Sequence, residues 1–265
     1  MKIVTAVVNN PVFIQIQYYT LKKYMKCDYE FIVFNDAKSF PDYSNGGDIT
    51  IKNTIEETCK KLGIICINIP NKQHIKQIDA SARTADSMNF ILKFQEKFPD
   101  KYLLLDSDMF LIDNFDLTDY ENYDCAIALQ DRKNLKSYFW NGLYYFDFNK
   151  MKNKQLLNWN CIPGSDTGGM MYNWLLSQRQ YNDNIYYIKQ LSSGDWDESN
   201  IPEKLKDNTK LIHFIKTDPR NKNGKFFCEI YDNKFLHYRA GGNWEKHNMK
   251  DHVNLSIKLR QSLLD

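Results

Sequence analysis

The sequence lacks several features that would each have indicated a class of protein. Its six cysteines include no pair with C-x-x-C spacing, which argues against a structural zinc site. No stretch reaches the apolar length of a membrane span, and the apolar run in the opening MKIVTAVVNN is too short for the core of a signal peptide. The net charge of +2 indicates no broad attraction to nucleic acid or anionic membranes. These absences predict a cytoplasmic protein with free thiols and no membrane span.

What the chain does contain is typical of a globular protein. It is 43% hydrophobic and 26% charged, and its 265 residues can bury a substantial core. Short apolar runs predict strands, and these are 2–8, 29–34, 63–69, 101–105, 124–129 and 142–148. Helical periodicity is found in 11–25, 53–62, 80–97 and 247–264. The alternation of strands and helices predicts an α/β fold with a mostly parallel central sheet.

The segment KYLLLDSDMFLIDNFD, residues 101–116, runs an apolar strand into two aspartates that are one residue apart. Carboxylates this close repel each other unless a positive charge lies between them. Ligands of open parallel sheets bind beyond the C-terminal ends of the strands, where Asp106 and Asp108 are predicted to lie. Mg²⁺ and Mn²⁺ are typically held by one or two carboxylates together with substrate phosphates. The pair therefore predicts a divalent metal beside a diphosphate, although solvated loop aspartates would give the same pattern.

Four motifs, in this order, resemble those of GT-A-fold glycosyltransferases, including glycogenin-like enzymes. They are TAVVNN at the end of the first strand, ARTADSMNFIL before the fourth, DSD itself, and a late H-x-x-x-G-x-x-W. The resemblance implies a GT-A (Rossmann-like) fold with an irregular C-terminal half. It implies one domain over 1–265, with a nucleotide-binding half (1–115) and a half for the sugar and the acceptor (116–265).

The same resemblance implies a reaction and its partners. The donor would be a nucleotide-diphosphate sugar, with UDP favoured as the nucleotide, and the cofactor would be Mn²⁺ or Mg²⁺. The acceptor would be a hydroxyl of a glycan, a glycoprotein or another molecule. Neither the donor sugar nor retention or inversion of configuration follows from the sequence.

The nucleotide end of the implied site comes from the first half of the chain. By resemblance, Val8 and Asn9 would contact the nucleoside, and Asp36 would read the base, although Asn-Asp also forms turns. Arg83 and Asp86 match residues that face the nucleotide in the family. Because they are three apart on a predicted helix they share a face, which a surface ion pair would also explain.

The metal and diphosphate residues are implied by resemblance as well. Asp108 would bind the metal directly, whereas Asp106, followed by Ser107, would contact the ribose or the metal. His237 resembles the late histidine that completes the metal shell, but one extra residue precedes the glycine and the family's Lys-Pro is missing. His213 is a rival ligand that is expected to pack in the core instead. A loop over the diphosphate would contain Arg239, Gly241, Gly242 and Trp244.

The sugar end is assigned to the middle of the chain. In YFWNGLYYFD, Trp140 would stack on a sugar, and Asn141 and Gly142 would line the pocket, although an aromatic core strand is the alternative. Asp166, in SDTGGMMYNWL, would be the base of an inverting reaction or a sugar-binding residue, unless it only caps a helix. Asp195 is the second candidate for the role given to Asp166, and Asp197 and Asp131 are further candidates.

Two other functions stay open at this point. A phosphatase of the haloacid dehalogenase type would use Asp106 as its nucleophile, but its motif normally follows the first strand and here three strands precede it. A catalytically inactive module that binds a nucleotide sugar or a glycan would have nearly the same sequence. A nucleotidyltransferase is disfavoured because VVNNPVF is not a Gly-rich phosphate loop.

Overall fold

The computed structural model describes residues 1–38, 49–70, 78–130, 137–178, 184–242 and 249–264. Its strands are β1 (Lys2–Val7), β2 (Glu30–Asn35), β3 (Ile65–Asn68), β4 (Lys101–Leu105), β5 (Met109–Leu111), β6 (Cys125–Gln130), β7 (Tyr138–Asp147), β8 (Ile185–Tyr187), β9 (Gln190–Leu191), β10 (Glu229–Tyr231) and β11 (Phe235–His237). Its α-helices are α1 (Pro11–Tyr24), α2 (Ile51–Leu62), α3 (Ala80–Lys97), α4 (Tyr172–Gln178), α5 (Glu203–Lys206), α6 (Thr209–Thr217) and α7 (Met249–Leu264).

A seven-stranded sheet forms the centre of the protein, with strand order β3-β2-β1-β4-β7-β6-β8. Neighbouring strands are parallel except where β7 pairs with β4 and with β6, so that only β7 runs in the opposite direction. The prediction of an α/β fold with a mostly parallel central sheet is confirmed. The antiparallel strand begins four residues before the predicted 142, because the aromatic residues at its start are also paired with β6.

The fourth strand shows why the sheet lies in the interior. Leu103 and Leu105 pack into one apolar cluster, whereas Tyr102 and Leu104 pack into another on the opposite face. Alternate residues of a strand point to opposite faces, so an unbroken apolar run is what burial on both faces requires. Truncating a fully buried leucine to alanine typically costs about 2–5 kcal/mol. The strand that leads into the DSD sequence is therefore firmly anchored.

The helices confirm the predicted periodicity. In α3 the predicted face of Met88, Ile91, Leu92 and Gln95 is buried. Pro11 occupies the first turn of α1, and the side chain of Asn10 caps this helix by accepting a hydrogen bond from the Val12 amide at 3.2 Å.

A second, four-stranded antiparallel sheet, with strand order β5-β11-β10-β9, builds the region beside the DSD sequence. It joins β5, which follows the DSD sequence directly, to strands from the irregular second half. The pairing aligns Met109 with His237. Residues separated by more than a hundred positions along the chain are thus brought together by strand register.

One packing prediction is wrong. His213 was expected in the core, but it is exposed on α6. Leu211, Phe214 and Ile215 form the buried face of that helix, and the phase of the helix turns His213 outward. All six cysteines are free. Within the described residues, no helix combines the length and the apolar character needed to cross a membrane.

Candidate active site

A cavity of about 660 Å³ opens where β1, β2 and β4 end. This is the edge of a parallel sheet at which ligands bind. Most of the predicted site residues line it, and these are Val8, Asp36, Arg83, Asp106, Ser107, Asp108, Trp140, Asn141, Asp166, His237, Arg239 and Gly242. The predicted residues that line the cavity therefore come from seven separate segments of the chain.

The DSD sequence forms a tight turn between β4 and β5. The Asp106 amide donates to the Gly142 carbonyl at 2.7 Å, and the Met109 amide donates to the Asp106 carbonyl at 3.0 Å. The side-chain amide of Gln17, from α1, donates to the carbonyls of Asp106 and Met109 at 2.7 and 3.1 Å. Gln17 is fully buried, and these two hydrogen bonds hold the turn against α1. Asp106 is half-buried and Asp108 is buried at its rim.

His237 lies against this turn because β11 pairs with β5. The Tyr238 amide donates to the Asp108 carbonyl at 2.9 Å, which continues the ladder beyond the paired strands. The Nε2 atom of His237 is 3.1 Å from Oδ1 of Asp108. One ligand atom each from Asp106, Asp108 and His237 lie within 4.8 Å of one another. The structure thus brings the three predicted metal ligands together.

Glu229 lines the cavity beside His237, and the sequence interpretation missed it. Its Oε2 atom lies 2.7 Å from Nδ1 of His237 and accepts a hydrogen bond from the Tyr231 hydroxyl at 2.9 Å. The β10–β11 hairpin aligns Glu229 with His237, and its turn places Asp232 and Asn233 in the left-handed region. Asp and Asn tolerate that conformation, so the Asp-Asn pair was the available signal for this hairpin.

The charges in this cluster shift one another's titration. Burial alone would lower the pKa of His237, but the negative charges of Asp108 and Glu229 outweigh it and raise this pKa to about 10. Burial would raise the pKa of Asp108, and the His237 charge and the Gly241 amide lower it instead. The pKa of Asp106 is raised by burial and then by the charge of Asp108. Asp106 and Asp108 therefore differ in pKa, and the carboxylate of Asp108 is the more stable anion.

Gly241 holds Asp108 in a way that differs from the prediction. Its amide donates to Oδ2 of Asp108 at 2.7 Å, so it is engaged within the protein and does not line the cavity. A Cβ atom at Gly241 would lie 2.5 Å from the Phe13 ring and 2.9 Å from the Asp108 Cβ. Gly242 lines the cavity, and Trp244 lies outside the described residues.

The side of the cavity predicted to contact the nucleotide departs from the prediction at two residues, Asp86 and Asn9. Asp86 is exposed and does not line the cavity, because the inward face of α3 presents Arg83 and Ser87 instead. The Ser87 hydroxyl donates to Oδ2 of Asp36 at 2.7 Å. Asn9 is buried beneath the cavity, where its side-chain amide donates to the Gly242 carbonyl at 2.9 Å, so it ties the end of β1 to the glycine turn and does not contact the open space.

Lys38 was also missed by the sequence interpretation. It is 2% exposed and lines the cavity two residues after Asp36. A lysine just after the end of a parallel strand is a candidate for the cavity lining. The sequence alone did not show that β2 ends at Asn35, so Lys38 was not recognised. Together with Arg83 it adds positive charge to the side of the cavity predicted to contact the nucleotide.

The side of the cavity predicted to contact the sugar is built around the Trp140 indole. Trp140 stacks on Tyr231, with ring centroids 5.0 Å apart and an interplanar angle of 12°. Gly142 was predicted to line the pocket, but it does not. A Cβ atom there would lie 2.2 Å from two atoms of the indole, so the absence of a side chain makes room for Trp140. Asn141 lines the cavity as predicted.

The four acidic candidates have different positions. Asp166 lines the cavity, and its Oδ1 atom accepts the Thr167 amide at 2.8 Å. Asp195 is exposed on a turn and is not part of the lining, which makes it a poor candidate for the acid. Asp197 caps a short 3₁₀ helix and pairs with Lys225 at 2.5 Å, which gives it a structural role. Asp131 lies outside the described residues.

No protein-family model and no curated protein sequence matches the chain. Among solved structures, the galactosyltransferase LgtC in complex with donor and acceptor sugar analogs is similar, with 13% identity, a TM-score of 0.47, and coverage of 98% of this chain and 96% of that chain. An active-site mutant of LgtC is similar over 59% of this chain and 61% of that one, with 15% identity and a TM-score of 0.38. These values describe a distant likeness, and no assignment of function rests on them.

Proposed function

We propose that the protein is a glycosyltransferase that moves a sugar from a nucleotide-diphosphate donor, a UDP-sugar, to an acceptor hydroxyl. The observation that carries the proposal is the cluster of Asp106, Asp108 and His237 at the end of β4, beside a cavity of about 660 Å³. The motif resemblance described above supports the same reading. We further propose that residues 1–265 act as one domain and that the acceptor is a glycan, a glycoprotein or another hydroxyl compound.

The residues present fit a divalent metal. The two carboxylates suit Mn²⁺ or Mg²⁺, and the imidazole nitrogen fits Mn²⁺ better than the harder Mg²⁺. Glu229 accepts from Nδ1 of His237 and so directs Nε2 towards Asp108, an arrangement typical of the partners of metal-binding histidines. Asp108 and His237 would hold the ion directly, with Asp106 beside them. When bound, the ion would neutralise the diphosphate and so stabilise it as a leaving group.

The protein's own residues do the rest of the binding. Arg83 is 7% exposed and lines the cavity, where its guanidinium can donate charge-assisted hydrogen bonds to phosphate or to the donor sugar. Asp36 and Ser87 form a hydrogen-bonded pair at the end of β2, where the nucleoside is proposed to lie. Because Arg83 is largely buried, its charge is screened less by water, which strengthens its interaction with an anionic donor.

The sugar is proposed to lie between the metal cluster and Trp140. The indole is held against Tyr231 and presents its remaining surface to the cavity, where a sugar ring can stack. Asp166 is proposed either to accept the proton of an attacking acceptor hydroxyl, which gives inversion, or to bind sugar hydroxyls, which suits retention. In both cases the bond between the anomeric carbon and the diphosphate oxygen breaks and a bond to the acceptor oxygen forms.

Hydrolysis of nucleotide sugars in the presence of Mn²⁺ tests this proposal. A panel of UDP-sugars and GDP-sugars is incubated with the protein, and release of the nucleoside diphosphate is measured. We expect metal-dependent release from at least one donor, because transferases slowly pass the sugar to water. A binding module would leave every donor whole, and release of inorganic phosphate from phosphomonoesters would indicate the phosphatase alternative instead.

A further inference from the structure

Arg220 lies outside the cavity lining but is bonded to the backbone that follows His237. Its Nη1 atom donates to the Arg239 carbonyl at 2.8 Å, and its Nη2 atom donates to the Tyr238 carbonyl at 3.0 Å. The guanidinium also lies 3.8 Å from the centroid of the Tyr238 ring. The Arg220 side chain thus contacts two consecutive backbone carbonyls and the ring of Tyr238.

Asp218 holds the opposite edge of the same guanidinium. Its carboxylate accepts from Nε of Arg220 at 2.9 Å and from Nη2 at 2.7 Å. The Arg220 side chain is 9% exposed and the Asp218 side chain is 0% exposed. A bidentate pair of this kind fixes the plane of the guanidinium, which a lysine ammonium cannot reproduce.

The backbone that Arg220 holds is strained. Arg239 and Ala240 are consecutive non-glycine residues with φ values of 64° and 57°. Left-handed conformations of such residues are costly and persist only where the surroundings enforce them. Directly after these two residues, the Gly241 amide donates to Oδ2 of Asp108 at 2.7 Å. The strained turn is therefore what delivers this amide to the proposed metal ligand.

We infer that Arg220 is a positioning residue of the metal site, which acts by holding the Arg239–Ala240 turn so that Gly241 orients Asp108. The inference rests on the proposed function, because it assumes that Asp108 binds a metal. Arg220 does not line the cavity, so its effect on the metal would pass through the backbone that it holds.

The test is Mn²⁺ affinity, measured by calorimetry or by the spin-resonance signal of free Mn²⁺ without any nucleotide. We expect Arg220→Lys to weaken binding by about tenfold, the usual effect of altering groups that orient metal ligands. Lys2→Met is the matched control, because it removes a different ion pair, with Asp100 at 2.8 Å, at the opposite end of β4. The control is expected to bind Mn²⁺ like the unaltered protein.

A rescue experiment separates positioning from a general loss of stability. Glycine adopts left-handed φ values without steric cost. Adding Ala240→Gly to Arg220→Lys should therefore restore part of the lost affinity, although it returns no hydrogen bond. A merely structural role for Arg220 predicts no such recovery.

Because Arg220→Lys leaves a buried pair in poor geometry, a second variant guards against misfolding. The double substitution Arg220→Gln with Asp218→Asn leaves no buried charge behind and should also lose about tenfold in Mn²⁺ affinity. Equal affinity of the unaltered protein and both Arg220 variants would overturn the inference and leave the proposed function standing. Failure of the unaltered protein to bind Mn²⁺ would also overturn the inference, whereas the proposed function fails only if no donor is hydrolysed.

Discussion

The indole of Trp140 lies flat against the ring of Tyr231, with 5.0 Å between centroids, and it occupies the space that a side chain at residue 142 would need. The Tyr231 hydroxyl in turn donates a hydrogen bond to Glu229, whose carboxylate lies against Nδ1 of His237. The stack therefore connects the side of the cavity proposed to contact the sugar to the proposed metal cluster. A substitution that displaces the indole should therefore weaken sugar binding more than it lowers the stability of the fold.

The first prediction concerns Gly142→Ala. The new Cβ would lie 2.2 Å from the Trp140 ring, so the indole must leave Tyr231. We expect turnover of the donor sugar to fall by about tenfold or more, since loss of substrate positioning commonly costs that much. Intrinsic fluorescence and donor kinetics are the measurements. Gly194→Ala is the control, because its Cβ meets no atom within 4 Å and the substitution adds only backbone strain at φ 77°. If Gly142→Ala behaves like this control, the role given to Trp140 is wrong.

The second prediction compares two neighbouring glycines. Gly241→Ala would bring a Cβ within 2.9 Å of the Asp108 Cβ and 2.5 Å of the Phe13 ring, whereas Gly242→Ala would make only an ordinary contact, 3.6 Å from Val8. We expect Gly241→Ala to weaken Mn²⁺ binding by about tenfold or more, because it displaces the amide that orients Asp108. Gly242→Ala should bind Mn²⁺ normally. Equal Mn²⁺ titrations of the two variants would contradict the role assigned to Gly241.

The third prediction concerns Glu229, which orients His237. Glu229→Ala removes the acceptor at 2.7 Å from Nδ1 and should lower Mn²⁺ affinity by about 10–100-fold. Glu229→Gln keeps an acceptor oxygen and should lose less. The Tyr231→Phe variant removes only the hydroxyl that supports Glu229, so a small effect is expected. An Mn²⁺ affinity for Glu229→Ala that equals the one for Tyr231→Phe would rule out this arrangement.

The fourth prediction separates the acidic candidates. Asp166 lines the cavity and Asp195 does not. Asp166→Asn is expected to lower turnover by about 10²-fold or more if it transfers a proton. Asp195→Asn should retain near-normal turnover. Donor kinetics with each variant decide between them, and a reversed order of effects would show that the exposed turn carries the chemistry.

The sequence was sufficient where a signal is local. The apolar run before Asp106 requires burial on both faces, and this alone predicts a central strand with the acidic pair at its end. The buried face of α3 followed from its periodicity. That pattern also contained an unused signal, since Ser87 precedes Ile91 by one helical turn and therefore shares the inward face, whereas Asp86 does not.

Residues whose position depends on distant pairing could not be found in this way. Glu229 faces His237 only because the hairpin sets their register, and His237 reaches Asp108 only because β11 pairs with β5. Gly142 was predicted to line the pocket and Gly241 to lie in a loop over the diphosphate, whereas their absent side chains make room for Trp140, Phe13 and Asp108. Such packing requirements depend on atoms from several segments of the chain. The sequence of any one segment therefore carries no pattern that would reveal them.

The most direct test of the central claim is a crystal structure of the protein with Mn²⁺ and UDP, with the ion located by its anomalous signal. The proposed metal site predicts a peak within about 2.5 Å of Asp108 and of Nε2 of His237, with a diphosphate oxygen on the same ion. A peak elsewhere, or a nucleotide bound away from the end of β4 with no ion beside these residues, would contradict it.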